Sequence, residues 1–467
     1  MSTAPASMRR GACPALSAPM PTGDGLLVRL NLAEGGMRPE DLAALCDLAV
    51  RHGNGIVEVT ARGSFQMRGL THASAPPLEA DVAALGLALR EGVPVETSPL
   101  AGLDPAEAAD PLPLARAIRA AVADAGLSGR LGPKVSVVLD PGGAVDLSDI
   151  LADLRLTAAR RDGAVSWHVA IGGDARTARP LAVLDERDAA AAAVTVLEAI
   201  AARGRDARAR DLGLTEMEAL LFPSTPRSFA PPSVLPDISP TWGEIGLPLP
   251  TLFSCDVDDW RKPLGQPISP HVGEMSGRTE GGDVERQPPA GPAMLPLADS
   301  RLALSVALPF GSMDAAGLAA FARAAAGRGV ADIRLAPGRS LILLCPTPTA
   351  ARLVASDARG HGLILDPADP RRAIAACPGA PACASGRIAA RALALRLAER
   401  GGFGGSVHVS GCAKGCAHPS PAAIVLVGTE AGLALVRNGR AGDKPAATFP
   451  DADAAFAALA ALPEPAE

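Results

Sequence analysis

Four of the chain's eight cysteines fall in two short turns: Cys377 and Cys383 in AACPGAPACASG, and Cys412 and Cys416 in SVHVSGCAKGCAHPSP. Thiolates are soft donors, and four together form the ligand set of an iron–sulfur cluster, whose irons prefer sulfur. Gly411 and Gly415 let the backbone turn around bulky sulfides, while Pro378 and Pro381 stiffen the other loop. A structural zinc favours spacings of about two to four residues in both pairs. The five residues between Cys377 and Cys383 exceed that. Residue types alone leave zinc and four buried thiols as alternatives. The first spacing favours a cluster over zinc, and the neighbouring glycines favour it over core thiols.

The elements that must hold these turns belong to a chain of 467 residues with 48% hydrophobic content, more than one core usually supports, so two or more packed units are expected. Aromatics make up 3%, with no tyrosine, which points to helices packed through small side chains. A net charge of −6 argues against nucleic acid as a partner. Any anionic ligand must then meet local basic groups. Neither an apolar leader after Arg9 and Arg10 nor a run suited to a bilayer is visible, so no membrane partner and a cytoplasmic location are expected. Cysteines of a large reduced chain read as metal ligands or core thiols rather than as a disulfide framework. Cys46 and Cys345 sit in apolar stretches and read as core; Cys13 has no cysteine neighbour and reads as structural or substrate-adjacent. GGAVDL and GGFGG lack the strand, lysine and helix of a nucleotide loop.

An internal echo organises the chain. The stretch beginning LLVRLNLAEGGMRPEDL at Leu26 and the one beginning RLALSVALPFGSMDAAGL at Arg301 both read strand, turn, helix, strand, turn, strand, with Met37 and Met313 at equivalent points. Each copy is followed by a second α/β stretch: a helix near 113–125 before KVSVVLD, and a helix over ASGRIAARALALRLAER before SVHVS. The expected fold class is α+β with duplicated halves. Five segments are expected: 1–92, 93–221, a Pro/Gly-rich linker at 222–298, 299–352, and 353–467 with the four cysteines. Within the linker, 256–286 is expected to be poorly ordered, with Trp260 and His271 in exposed loop.

The C-x5-C and SGC-x3-C pair resembles the signature of the nitrite/sulfite reductase superfamily, which holds a four-iron four-sulfur (4Fe-4S) cluster against siroheme. More narrowly, RRGACPALSAPMPTGDGLLVRL, ACPGAPACASG and HVSGCAKGCAHP together resemble the precorrin-3B synthases of aerobic cobalamin biosynthesis. The resemblance spans nearly the whole chain apart from the linker. It implies a ferredoxin-like half-domain and an α/β iron–sulfur/tetrapyrrole-binding unit in each half, with Cys377, Cys383, Cys412 and Cys416 as cluster ligands. Arg29 and Arg62 match superfamily positions around substrate and macrocycle, and Lys134 matches the first lysine of an LPRKFK-like stretch, whose second lysine is Ser136 here. That loss weakens an oxyanion-reducing site. Precorrins carry many carboxylates, each of which an arginine can grip bidentately. Arg9, Arg10, Arg29, Arg62, Arg68, Lys134 and Lys414 are the candidate basic lining; Arg334 and Arg339 lack motif context.

The implied function is oxygen-dependent hydroxylation of precorrin-3A at C20 with γ-lactone formation. Its implied partners are precorrin-3A, dioxygen and an external electron donor or NAD(P)H-dependent reductase. Besides the cluster, the resemblance implies a mononuclear non-heme iron, for which no two-His-one-carboxylate spacing is legible among seven histidines. A siroheme-dependent sulfite or nitrite reductase is the alternative enzyme. A non-catalytic iron–sulfur tetrapyrrole-binding or electron-carrier protein is the alternative of another class.

Overall fold

The structure is a computed structural model that describes residues 14–33, 36–90, 92–222, 294–401, 405–418 and 420–460. Arg9, Arg10, Cys13, Cys255 and the segment 256–286 lie outside them. The chain divides into two compact units, Met1–Gly213 with Pro289–Glu467, and Leu214–Pro288. No described helix is long and apolar enough to cross a membrane.

In the large unit, the first half opens with β1 (Met20–Thr22), β2 (Gly25–Leu30), α1 (Pro39–His52), β3 (Ile56–Val59), β4 (Phe65–Leu70) and α2 (Ala75–Ala84). It continues with β5 (Val95–Glu96), α3 (Leu112–Asp124), β6 (Val137–Asp140), β7 (Ala152–Arg161), β8 (Ala164–Gly173), β9 (Arg179–Leu184) and α4 (Glu186–Ala202). The small unit contributes α5 (Leu214–Leu221). The second half repeats the plan with β10 (Met294–Pro296), β11 (Leu302–Ala307), β12 (Ser312–Asp314), α6 (Ala315–Gly327), β13 (Ile333–Ala336), β14 (Ser340–Cys345) and α7 (Pro348–Gly360). It closes with α8 (Pro370–Ala373), β15 (Ile374–Ala376), α9 (Ala390–Arg400), β16 (Val407–Ser410), β17 (Ala422–Thr429), β18 (Gly432–Gly439), β19 (Ala447–Phe449) and α10 (Ala452–Ala460).

Sheet topology makes the duplication explicit. The antiparallel order β1-β2-β4-β3 recurs as β10-β11-β14-β13. The sheets β5 to β9 and β15 to β19 each run in chain order, with the first three strands parallel and the last two antiparallel. The halves also exchange edges: Met313 in β12 pairs with Val57 in β3, and Met37 bridges Ile333 in β13. One shift along the chain carries each pair into the other, the mark of a pseudo-twofold.

The shared core follows from composition. Helices α1 and α6 pack together, and small faces such as Ala49, Ala315, Ala319 and Ala322, all 0% exposed, allow close approach. Phe65, Met67, Phe321, Leu341 and Leu343 from both halves fill one cluster. Local signals agree: Asp314 and Thr347 cap α6 and α7 by accepting the N–H of Gly317 at 2.9 Å and Ala350 at 3.1 Å. Cys46 and Cys345 are 0% exposed, as their apolar context required.

Two elements differ from the sequence expectation. Strand β10 falls inside the stretch read as linker, because Met294–Pro296 supplies backbone partners to the edge of β11. Helix α9 begins at Ala390 rather than near Ala384, since the intervening backbone is engaged elsewhere: Arg387 N–H donates to Gly411 O at 2.7 Å and Ala380 N–H to Ile388 O at 2.7 Å.

Candidate functional site

Strands β15 and β16 lie side by side and parallel, with Ala376 opposite Val409. Cys377 follows the first strand directly, and Cys412 lies two residues past the end of the second. Both cysteine turns therefore leave the same carboxyl edge of the sheet, where ligand sites of parallel strands collect. The turns are tied to each other: Gly411 N–H donates to Cys377 Sγ at 3.1 Å and Lys414 Nζ to Ser385 Oγ at 2.8 Å. Gly415, at φ +62°, turns the chain between Cys412 and Cys416 in a conformation that side chains disfavour.

Electrostatics show the four thiols sharing one neighbourhood. Partial burial of its sulfur pushes the Cys416 thiol up, and negative charge on Cys412, Cys377 and Cys383 adds to this, while Lys414 opposes it. Burial likewise raises Cys345 to about 11, which keeps that core thiol protonated and out of metal chemistry. Bringing four thiolates together without a cation is unfavourable, and an iron–sulfur cluster answers that need. Among the described residues no three His, Cys, Asp or Glu side chains converge on one ion. A cubane asks instead for thiolates spread around it, each on its own iron, and with the N–H···S contact this donor set fits such a cluster. No ligand set for a mononuclear iron is found among the described residues.

The first half reaches into this site. Arg68, with its side chain 5% exposed, donates from Nε and Nη2 to Asp24 at 3.0 Å each, and from Nη2 to Ala382 O at 2.7 Å. The expected contact of Arg68 with a substrate carboxylate gives way to these internal partners, because its guanidinium is enclosed by protein. Glu58 is 4% exposed and lies at a second junction: it accepts Arg391 Nη2 at 2.5 Å and Gln66 Nε2 at 2.6 Å, with Arg68 Nη1 at 3.6 Å. Arg29 stands opposite Gln66 across β2 and β4 and donates to its Oε1 at 2.6 and 2.8 Å. Arg339 adds a further tie, donating to Ala417 O at 3.1 Å.

Arg62 faces a cavity of about 510 Å³ in which it is joined by Arg90, Arg116, Arg119 and Arg334, against the acids Glu96 and Asp110. Glu96 lies between two of them, 3.2 Å from Arg62 and 3.7 Å from Arg90. Arg62 also approaches Ser136 Oγ at 3.5 Å, the position where the resemblance calls for a lysine. Lys134, two residues earlier, is exposed. Sequence reasoning missed Arg90, Arg116 and Arg119. Arg116 and Arg119 did carry a signal, one helical face of α3 at i, i+3 spacing; Arg90 carried none.

His408, on β16, is 0% exposed and neither ring nitrogen has a hydrogen-bond partner among the described residues. His418 meets it edge to face at 5.9 Å and holds its own turn through Nε2, 3.3 Å from Pro421 O. Burial, then the charges of His418 and Arg339, lowers the His408 pKa to about 4. The unfolded chain therefore binds a proton that the folded one refuses. Stability should be full above pH ~6.5 and fall by roughly 3 kcal/mol as pH drops towards 4. His408→Leu should flatten that limb in guanidinium melts; an unchanged slope would show that His408 is not its source.

Comparison with known proteins places this geometry. Residues 18–85 match the nitrite/sulfite reductase ferredoxin-like half domain. A solved structure of the NirA protein of Mycobacterium tuberculosis superposes with a TM-score of 0.61 over 86% of this chain and 71% of that one, at 18% identity, a likeness of fold. A ferredoxin–nitrite reductase of Synechococcus elongatus is 28% identical over 157 residues, 32% of this chain and 31% of that protein. A precorrin-3B synthase of Sinorhizobium sp. is 36% identical over 461 residues, 98% of this chain and 89% of its own. An alignment that runs from end to end through both halves and both cysteine turns is one of common descent, and the chain belongs to the precorrin-3B synthase family.

Proposed function

We propose that this chain converts precorrin-3A to precorrin-3B, adding a hydroxyl at C20 and closing a γ-lactone with the ring A acetate. One atom of dioxygen enters the macrocycle and the other leaves as water, with electrons drawn from an external donor. The observation that carries this reading is the end-to-end relationship to the Sinorhizobium sp. protein, against a nitrite reductase match confined to about a third of each chain. The proposed location is cytoplasmic.

Cys377, Cys383, Cys412 and Cys416 would hold a 4Fe-4S cluster, which supplies one-electron transfer when bound. The chain's own contribution is binding and orientation. Arg62, Arg90, Arg116, Arg119 and Arg334 give the cavity a cationic wall suited to a substrate with several carboxylates. Holding those carboxylates fixes which edge of the macrocycle is presented and removes the orientational freedom that would otherwise oppose reaction. Lys414 and Lys134 are exposed and are proposed to meet outer carboxylates. Arg29 is proposed to act through Gln66.

Turnover of precorrin-3A under isotopically labelled dioxygen should place one labelled atom in the C20 hydroxyl and leave both lactone oxygens unlabelled. Label from water, or siroheme in the purified protein with rapid sulfite or nitrite reduction, would overturn the proposal. Binding without turnover in the presence of a reductant would favour the non-catalytic alternative. Arg62→Ala should weaken precorrin binding by ~2 kcal/mol, the loss of a charge-assisted hydrogen bond, and leave the visible absorption of the bound cluster unchanged. Equal affinity for both proteins would place the substrate elsewhere.

A further inference from the structure

Arg68 is enclosed, charged and joined to three partners, yet it lies in the first half while the loop that it contacts carries a cysteine of the second. Ala382 O, immediately before Cys383, accepts two hydrogen bonds: one from Arg68 Nη2 at 2.7 Å and one from Gly23 N–H at 3.2 Å. Asp24 completes the clamp by receiving Arg68, and is itself held by Thr22 Oγ1 at 2.8 Å and Asn54 Nδ2 at 3.1 Å. The approach of the two halves here is close. A Cβ at position 23 would stand 2.5 Å from Pro381 O and 2.6 Å from Ala384 N, so the glycine is what lets the loops meet.

We infer that Arg68 is a positioning residue that fixes the Cys383 loop and, through its enclosed charge, raises the reduction potential of a cluster bound by the four cysteines. This rests on the reading that those cysteines hold a cluster. Reduction adds one electron to the cluster and changes no covalent bond in the protein. The added negative charge is stabilised by a fixed cation and opposed by fixed carboxylates, most strongly where water is excluded. Arg68 is the cation; Asp24 and Glu58, the latter 3.6 Å from Nη1, are the carboxylates that temper it. The Arg68 guanidinium also feels the charge of Cys383, which places the two within electrostatic reach.

The test is an anaerobic titration of the holoprotein with dithionite, followed by electron paramagnetic resonance, after iron and sulfide have been counted. Arg68→Gln should shift the potential to more negative values. Arg68→Lys, which keeps the charge, should stay near the parent protein. Asp24→Asn should shift it the other way, and this variant decides the matter if Arg68→Gln does not fold. A full cluster with an unmoved potential in Arg68→Gln, or a negative shift in Asp24→Asn, overturns the inference. Absence of iron and sulfide from the parent protein overturns the cluster itself, a distinguishable result.

Discussion

For the 4Fe-4S cluster proposed at the four cysteines, replacing Cys412 by serine is expected to leave the purified protein without iron, sulfide or the brown absorption such a cluster gives. Cys412 enters from the end of β16, and its carbonyl is already fixed by the Ser410 hydroxyl at 2.7 Å, so the side chain is presented from a rigid edge. A serine hydroxyl at that point is a hard, weakly acidic donor and a poor substitute for thiolate on iron. Loss of one corner exposes the remaining cluster to solvent and oxidation. The control is Cys46→Ala: that thiol is 0% exposed in the helical core, and burial pushes its ionisation far above the usual range. The Cys46 variant should keep iron and sulfide at parent levels while losing some stability. Retention of both elements in Cys412→Ser together with their loss in Cys46→Ala would falsify the assignment.

Glu58→Ala is expected to have the largest effect on stability of any single charge removal near the site. Glu58 comes from β3 in the first half, and Arg391 from α9 in the second also donates to Ser312 Oγ at 3.0 Å. Removing the carboxylate leaves the enclosed Arg68 and the part-buried Arg391 with fewer counter-charges and Gln66 Nε2 without its acceptor. Breaking a buried pair from one side costs about 3–5 kcal/mol, because the remaining charge is stranded away from water. Glu58→Gln should cost less, since an amide oxygen still accepts a hydrogen bond. Urea unfolding of the single variants and of Glu58→Ala with Arg391→Ala measures the coupling, expected to exceed ~1 kcal/mol. A loss under ~1 kcal/mol in Glu58→Ala would mean that this junction does not join the halves.

The sequence determined what could be written locally. Thiolate chemistry with turn-forming neighbours marked Cys377, Cys383, Cys412 and Cys416, and the spacing of apolar residues with Met37 and Met313 marked the two halves, because a repeated chain repeats its hydrophobic period. Cys46 and Cys345 were legible as core for the same reason. Only the tertiary structure decided which cations face a cavity and which are enclosed. Arg62 and Arg68 sit six residues apart in one motif, yet the first joins Arg90, Arg116, Arg119 and Arg334 around open space while the second is locked to Asp24 and Ala382. Arg62 lies in the turn between β3 and β4 and Arg68 on β4 itself, and which of them meets open space and which meets the other half is set by long-range packing. The exchange of β12 onto β3, and the junction of Glu58 with Arg391, join residues hundreds of positions apart, and no local pattern encodes such a meeting.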